Sequence, residues 1–180
     1  MTVVCIYGPM FAGKSSALIE KARAYEAKHG NKYMIMLKYS KDTRYNSNNY
    51  VISHNKESYP AKPVDSLSEI SDEELIKYKK IFIDEGQFFN DIITFINRCT
   101  CLNVHVVIAG LNLNHKRNVF GQMGSVIDIS DKSIMLTSTC VDCGNTAHYT
   151  RMNSQSEDIL NADIAIGGQE LYSPVCNDCI

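Results

Sequence analysis

The chain is poor in proline and glycine. Four Pro and ten Gly in 180 residues are too few for a linker-rich or collagenous protein. It also lacks an excess of either charge. Eighteen basic and 20 acidic side chains leave a formal net charge of −2, which excludes a protein whose whole surface grips nucleic acid, though not one with a local basic patch. No apolar run reaches the roughly 18 residues that a membrane span needs. Met1–Tyr7 has no basic leader and no cleavage site, unlike a signal peptide. The expectation is a soluble, cytoplasmic protein without a membrane partner. What is present is globular: 44% hydrophobic and 21% charged residues suffice for a sizeable core and exclude wholesale disorder.

Seven cysteines are an odd number, unevenly placed. Cys5, Cys99 and Cys101 sit among apolar residues, whereas Cys140, Cys143, Cys176 and Cys179 form two Cys-x-x-Cys pairs. Without a secretion signal, such pairs read as metal ligands before they read as a disulfide framework.

The periodicity predicts alternating strands and helices. Thr2–Tyr7 is a short apolar strand ending at Gly8. Leu18, Ala22, Tyr25 and His29 then mark one helix face, stopped by Gly30-Asn31. Tyr33–Leu37 is a second strand, and Lys38–Pro63 is a polar, irregular excursion with a short strand near Tyr50–Ile52. Cap signals at Ser68-Glu69 and Ser71-Asp72-Glu73-Glu74 predict a helix to about Tyr78. Lys80–Asp84 is a strand, Phe88, Ile92, Phe95 and Cys99 form a helix face, and Val104–Ala109 is another strand. This order predicts a parallel α/β sheet flanked by helices. The texture changes near Thr139, giving an expected nucleotide-binding domain over 1–139 and a small lobe over 140–180.

Gly8-Pro9-Met10-Phe11-Ala12-Gly13-Lys14-Ser15 matches G-x-x-x-x-G-K-[ST], after a strand and at the start of a helix. Such a loop turns backbone N–H groups and a helix N-terminus toward phosphate oxygens. Lys14 is expected to reach the β and γ phosphates of ATP and Ser15 to hold magnesium. The apolar strand Ile81–Ile83 ends in Asp84-Glu85. Asp84 fits the magnesium-side carboxylate, and Glu85 fits a general base for a hydroxyl or a water. The two Cys-x-x-Cys pairs fit a closed, structural zinc site with four thiolates. The loop between them suits a lasso: Thr146–Arg151 and Tyr172–Val175 would pair as strands, with Met152–Glu170 as the tip and Gly167-Gly168 permitting close approach to a ligand.

These segments resemble one family. Gly8–Ser15, Lys41-Asp-Thr-Arg-Tyr45, Asp84-Glu-Gly-Gln-Phe-Phe89, Ile166-Gly-Gly168 with Tyr172, and the paired cysteines are similar to the type II thymidine kinases of animals, bacteria and large DNA viruses. The resemblance runs in unbroken order from Gly8 to Cys179. It implies a RecA-like P-loop fold, phosphoryl transfer from ATP to the 5′-hydroxyl of thymidine or deoxyuridine, and a role in nucleoside salvage. It places Asp42 and Arg44 near the sugar and the transferred phosphate. It maps Met10, Phe88, Leu111 and Phe120 to the walls around the base, and Thr150, Ile166, Gly167, Gly168 and Tyr172 to the lasso that encloses the nucleoside. It further implies a homotetramer and feedback binding of thymidine triphosphate. The chain departs from the family pattern after Leu111, where Asn112 replaces an acid and His115 stands at the position of a base-pocket phenylalanine. An imidazole can still stack on a planar ring, but its face is smaller and it titrates near neutrality.

Two other readings compete. A P-loop ATPase with a structural zinc ribbon would hydrolyse ATP without nucleoside. A zinc-ribbon module for nucleic acid would need basic residues near the cysteine pairs, but Cys140–Cys179 contains one Arg, no Lys and an excess of acids.

Overall fold

In the computed structural model, which describes residues 1–42, 49–153, 167–168 and 170–180, the apolar runs become strands buried on both faces. The elements in chain order are β1 (Val3–Tyr7), α1 (Lys14–His29), β2 (Met34–Tyr39), β3 (Tyr50–Ile52), β4 (Ser58–Pro60), β5 (Lys62–Val64), α2 (Asp72–Leu75) and β6 (Lys80–Ile83). They continue with α3 (Ile92–Cys101), β7 (His105–Gly110), α4 (Met123–Ile129), β8 (Lys132–Met135), β9 (Ser138–Thr139), β10 (Thr146–Ala147), β11 (Tyr149–Met152) and β12 (Tyr172–Val175). Six strands form one sheet in the order β5-β2-β6-β7-β1-β8, every pair parallel. The expectation of a parallel α/β sheet flanked by helices is borne out.

Alternation along the central strands sorts the core into two layers. Cys5, Ile81, Ile83, Val106 and Ile108 face a cluster with Phe89, Ile92, Phe95, Ile96 and Cys99 around α3 and with Met123 and Val126 of α4. Ile6, Phe82, Val107 and Ala109 face the other cluster, filled by Leu18, Ile19 and Ala22 of α1 and by Val51 and Tyr59 of the β3–β4 hairpin. Both layers leave the C-terminal strand ends open, where open α/β sheets bind their ligands.

Local structure departs from the sequence expectations at four places. Phe88 is not on a helix. It closes a 3₁₀ turn, Gly86–Phe88, and α3 begins only at Ile92. The helix expected to reach Tyr78 is the single turn α2, capped by the Ser71 hydroxyl on the Glu74 N–H; the upstream capping box pairs Ser66, not Ser68, with Glu69. The excursion 38–63 contains the β3–β4 hairpin and runs into β5, which pairs with β2. Pro63 is tolerated there because β5 is an edge strand. Finally, β8 pairs with β1 although three of its four side chains are exposed, so no apolar run announced it. No helix among the described residues is long and apolar enough to cross a membrane.

Candidate active site

The cleft is built from the loops that leave β1, β6 and β7. Its cavity volume is about 60 Å³, and it is lined by Met10, Phe11 and Gly13–Ser16 of the phosphate loop, Glu85, Leu111, and Ile52-Ser53-His54 of the β3–β4 hairpin. The phosphate loop leaves β1 at Gly8, whose φ of +147° and closeness to the Leu136 carbonyl leave no room for a Cβ. α1 starts at Lys14 behind Gly13 without a side-chain cap. Its first-turn N–H groups therefore remain available to a ligand at the loop. The Lys14 ammonium curls back to donate to the Pro9 carbonyl at 2.6 Å.

Ser15 and Asp84 meet across the sheet. The Ser15 hydroxyl lies 3.1 Å from Oδ1 and 3.2 Å from Oδ2 of Asp84, and Asp84 is only 5% exposed. A hydroxyl beside a buried carboxylate is an oxygen donor set of the kind that suits magnesium. Glu85 follows at 7% exposure, with its backbone in the left-handed region at φ 54°. Its Oε2 accepts a short hydrogen bond from the Gln87 amide, whose own oxygen accepts from the Leu111 N–H at 2.9 Å.

An apolar floor joins these polar groups. Met10, Leu111 and Tyr172 pack together, with Phe11, Phe120, Met152 and Leu171 against them. Phe88 stacks on Tyr39 at 5.1 Å and meets Phe120 edge-on at 5.6 Å. The segment from Leu111 to Phe120 folds back on itself: Phe120 N–H donates to Asn112 O at 3.0 Å, and Leu113 bridges to Val119. That puts His115 at the bend, its ring 6.3 Å from that of Tyr172. His115 Nε2 is buried and has no hydrogen-bond partner among the described residues.

The expected lasso pairing forms only in part: Tyr149–Met152 pairs with Tyr172–Val175, with Thr150 opposite Pro174 and Met152 opposite Tyr172, whereas Thr146-Ala147 pairs with Ser138-Thr139 and Met152 belongs to the strand rather than the tip. Thr150 sits deeper than a loop residue: its buried hydroxyl accepts the Met10 N–H at 3.0 Å, linking lasso to phosphate loop. Gly168 O accepts from the N–H groups of Leu171 and Tyr172, both at 3.1 Å, closing the turn into β12. Ile166 and Arg44 lie outside the described residues. Asp42 lies at the end of β2, where its carbonyl accepts from Lys38, a buried cation that also donates to Tyr50 O.

Cys140, Cys143, Cys176 and Cys179 offer sulfur atoms that all lie within 4.8 Å of one another, with Cys143 and Cys176 at 3.5 Å. Tetrahedral zinc with bonds of about 2.3 Å needs sulfurs about 3.8 Å apart, so the four residues fit this metal. Burial opposes ionisation of Cys140, but N–H donors from Cys176, Cys143 and Asp142 outweigh it and draw that thiol down to about 6. In Cys179 the neighbouring Cys143 and Cys176 side chains push the other way. Crowded sulfurs cannot all ionise without a cation between them. The core thiols are different: burial pushes Cys5 and Cys99 up to about 12, which leaves them inert. Arg151 ties the two knuckles, donating to both Asp142 oxygens and to Cys179 O.

Tyr39, Lys38, Ser53 and His54 are not singled out by the sequence, whereas Gln87 stands within the Asp84–Phe89 segment without a role of its own. Their only signal was a cation and an aromatic closing β2, and a turn-rich stretch closing β3. Their convergence depends on strands that are neighbours in the sheet but distant in the chain.

A family model described as thymidine kinase matches residues 1–180. Thymidine kinase 1 of Dictyostelium discoideum is 34% identical over 177 residues, covering 97% of this chain and 75% of the relative. The thymidine kinase of Yaba monkey tumor virus (strain VR587) is 35% identical over 174 residues, covering 97% and 91%. Human cytosolic thymidine kinase is 32% identical over 174 residues, covering 97% and 70%.

Proposed function

Since the chain belongs to the thymidine kinase family, we propose that its cleft transfers the γ-phosphoryl group of ATP to the 5′-hydroxyl of thymidine or deoxyuridine. The observation that carries the residue assignment is the convergence of Lys14, Ser15 and Glu85 on one cleft, with Asp84 hydrogen-bonded to Ser15. The loop Gly8 to Ser15 cradles the phosphates, with the backbone N–H groups of Phe11 to Ser15 as donors, and Lys14 leaves the Pro9 carbonyl to meet the β and γ phosphates. Ser15 and Asp84 would hold magnesium, which would offset the charge developing on the phosphates. Glu85 accepts the proton of the 5′-hydroxyl as the new oxygen–phosphorus bond forms and the bond to ADP breaks. Asp42 and Arg44 bind the sugar and the transferred group. The base lies against Met10, Phe88, Leu111, His115 and Phe120, under a lasso carrying Thr150, Ile166, Gly167, Gly168 and Tyr172. Residues 1–139 form the catalytic domain and 140–180 the lid. The working form is a cytoplasmic homotetramer that also binds thymidine triphosphate; relatives bearing the name cytosolic thymidine kinase support the location. Radiolabelled transfer from ATP across a panel of nucleosides tests the assignment. ATP hydrolysis indifferent to nucleoside would favour the ATPase instead.

Zinc bound by Cys140, Cys143, Cys176 and Cys179 would anchor the lid, because β11 and β12 leave from the two knuckles. Metal analysis should find one zinc per chain. Chelation should lower the melting temperature and raise the thymidine KM roughly 5- to 10-fold, the worth of one or two hydrogen bonds such as Thr150 to Met10. A metal-free preparation with unchanged KM would dispose of the anchor.

His115 should show opposite effects on stability and on binding. A buried Nε2 without a partner among the described residues costs about 1–3 kcal/mol. His115→Phe should therefore raise the stability of the ligand-free protein by about 1 kcal/mol. If a nucleoside carbonyl completes the imidazole, the same change should raise the thymidine KM up to ~10-fold. Thermal melts and steady-state kinetics on one preparation decide this; unchanged KM would make His115 a spectator.

A further inference from the structure

We propose that Gln87 is a positioning residue for phosphoryl transfer, a brace that holds the Glu85 carboxylate in the cleft before substrate arrives. The proposal rests on Glu85 being the base. Gln87 is 2% exposed and lies between the loops that leave β6 and β7. Its oxygen accepts the Leu111 N–H at 2.9 Å, and its NH₂ donates to Glu85 Oε2.

The orientation of this amide is fixed by chemistry. A backbone N–H only donates, so the side-chain oxygen must face Leu111 and the NH₂ must face Glu85. The space is equally constrained. A Cβ on Gly110 would come within 2.8 Å of Gln87 Oε1 and 2.9 Å of the Met123 methyl, so the amide fills a slot that only a glycine backbone leaves open. Glu85 needs such a partner. Its left-handed backbone is uncommon for a residue with a side chain and persists where the surroundings over-determine it. A glutamate is also rich in rotamers, and freedom lost at the moment of reaction would slow transfer. The brace removes that freedom in advance and ties the carboxylate to Leu111, a wall of the apolar floor. When the 5′-hydroxyl proton passes to Glu85, with the new oxygen–phosphorus bond forming and the bond to ADP breaking, the acceptor already stands in place.

Gln87→Glu isolates this role. It keeps an acceptor for the Leu111 N–H but replaces the donor to Glu85 with an oxygen. It should lower kcat about 10- to 100-fold, as a small misplacement of a reacting group does, and leave the KM values for thymidine and ATP within about twofold. Made in the Glu85→Gln background, it should cost no more than about twofold further, because there is no base left to position. Gln87→Met, neutral and of similar length, should show the same non-additivity if the new charge disturbs folding; melting temperatures check both. A Gln87→Glu enzyme with near wild-type kcat overturns the brace. So does an equal loss in both backgrounds, the signature of a role in the fold alone. Near wild-type transfer by Glu85→Gln alone would instead remove the base assignment, and the brace with it.

Discussion

Lys14→Ala is expected to abolish useful turnover while leaving the fold intact. Alanine suits the first turn of α1 at least as well as lysine does, and the loop geometry is made by the backbone and by Gly8, not by the ammonium. The melting temperature should therefore barely move. What disappears is the cation now resting 2.6 Å from the Pro9 carbonyl, close enough to transfer its hydrogen bonds to phosphate. Loss of a charge-stabilising donor costs on the order of 100- to 1,000-fold. Arginine should not restore the rate, because a planar fork cannot replace a compact ammonium in a tight loop. Single-turnover phosphate transfer is the measurement, and a well-folded Lys14→Ala protein with wild-type activity would end the phosphate-loop assignment.

Glu85→Gln should keep thymidine and ATP binding and lose roughly 100- to 10,000-fold in rate, the usual contribution of a general base. Gln has the same size and still offers an oxygen to the Gln87 amide, so the local hydrogen bond survives. It cannot take a proton as a carboxylate does. If Glu85 only shaped the turn, the substitution would be nearly silent. Because phosphates and nucleoside are held elsewhere in the cleft, the loss should fall on kcat and not on affinity. Equilibrium binding with single-turnover transfer separates the two. Transfer within a few-fold of wild type would pass the role to Asp42.

What could be read from the sequence follows from where each signal resides. β1, β6 and β7 are central strands, so Val3–Tyr7, Ile81–Ile83 and Val106–Ala109 appear as uninterrupted apolar runs. The phosphate loop is local, eight consecutive residues between a strand and a helix, and needs no tertiary information. β8 was not legible, because an exposed edge strand has no pattern to show. Phe88 falls in phase with Ile92, Phe95 and Cys99, yet it belongs to the aromatic ladder with Tyr39 and Phe120. Periodicity cannot tell a helix from a turn that happens to be in step with it. Glu85 and His54 line the cleft from separate loops, and no spacing along the chain encodes such a meeting.

The position of β1 sets an order of events at the ribosome. Its two neighbours in the sheet are β7 and β8, with Val4 paired to Val107 on one side and to Lys132 on the other. At about 5–20 residues per second, translation leaves this sticky segment without either neighbour for on the order of ten seconds. Parallel pairings so distant in the chain also form slowly once the chain is free. The soluble yield of the enzyme should therefore respond to holdase chaperones and to growth temperature more than its folded stability suggests. Met10 waits longer still, since its N–H partner is Thr150. The phosphate loop is the first part of the site to be synthesised, yet this partner lies 140 residues further along the chain.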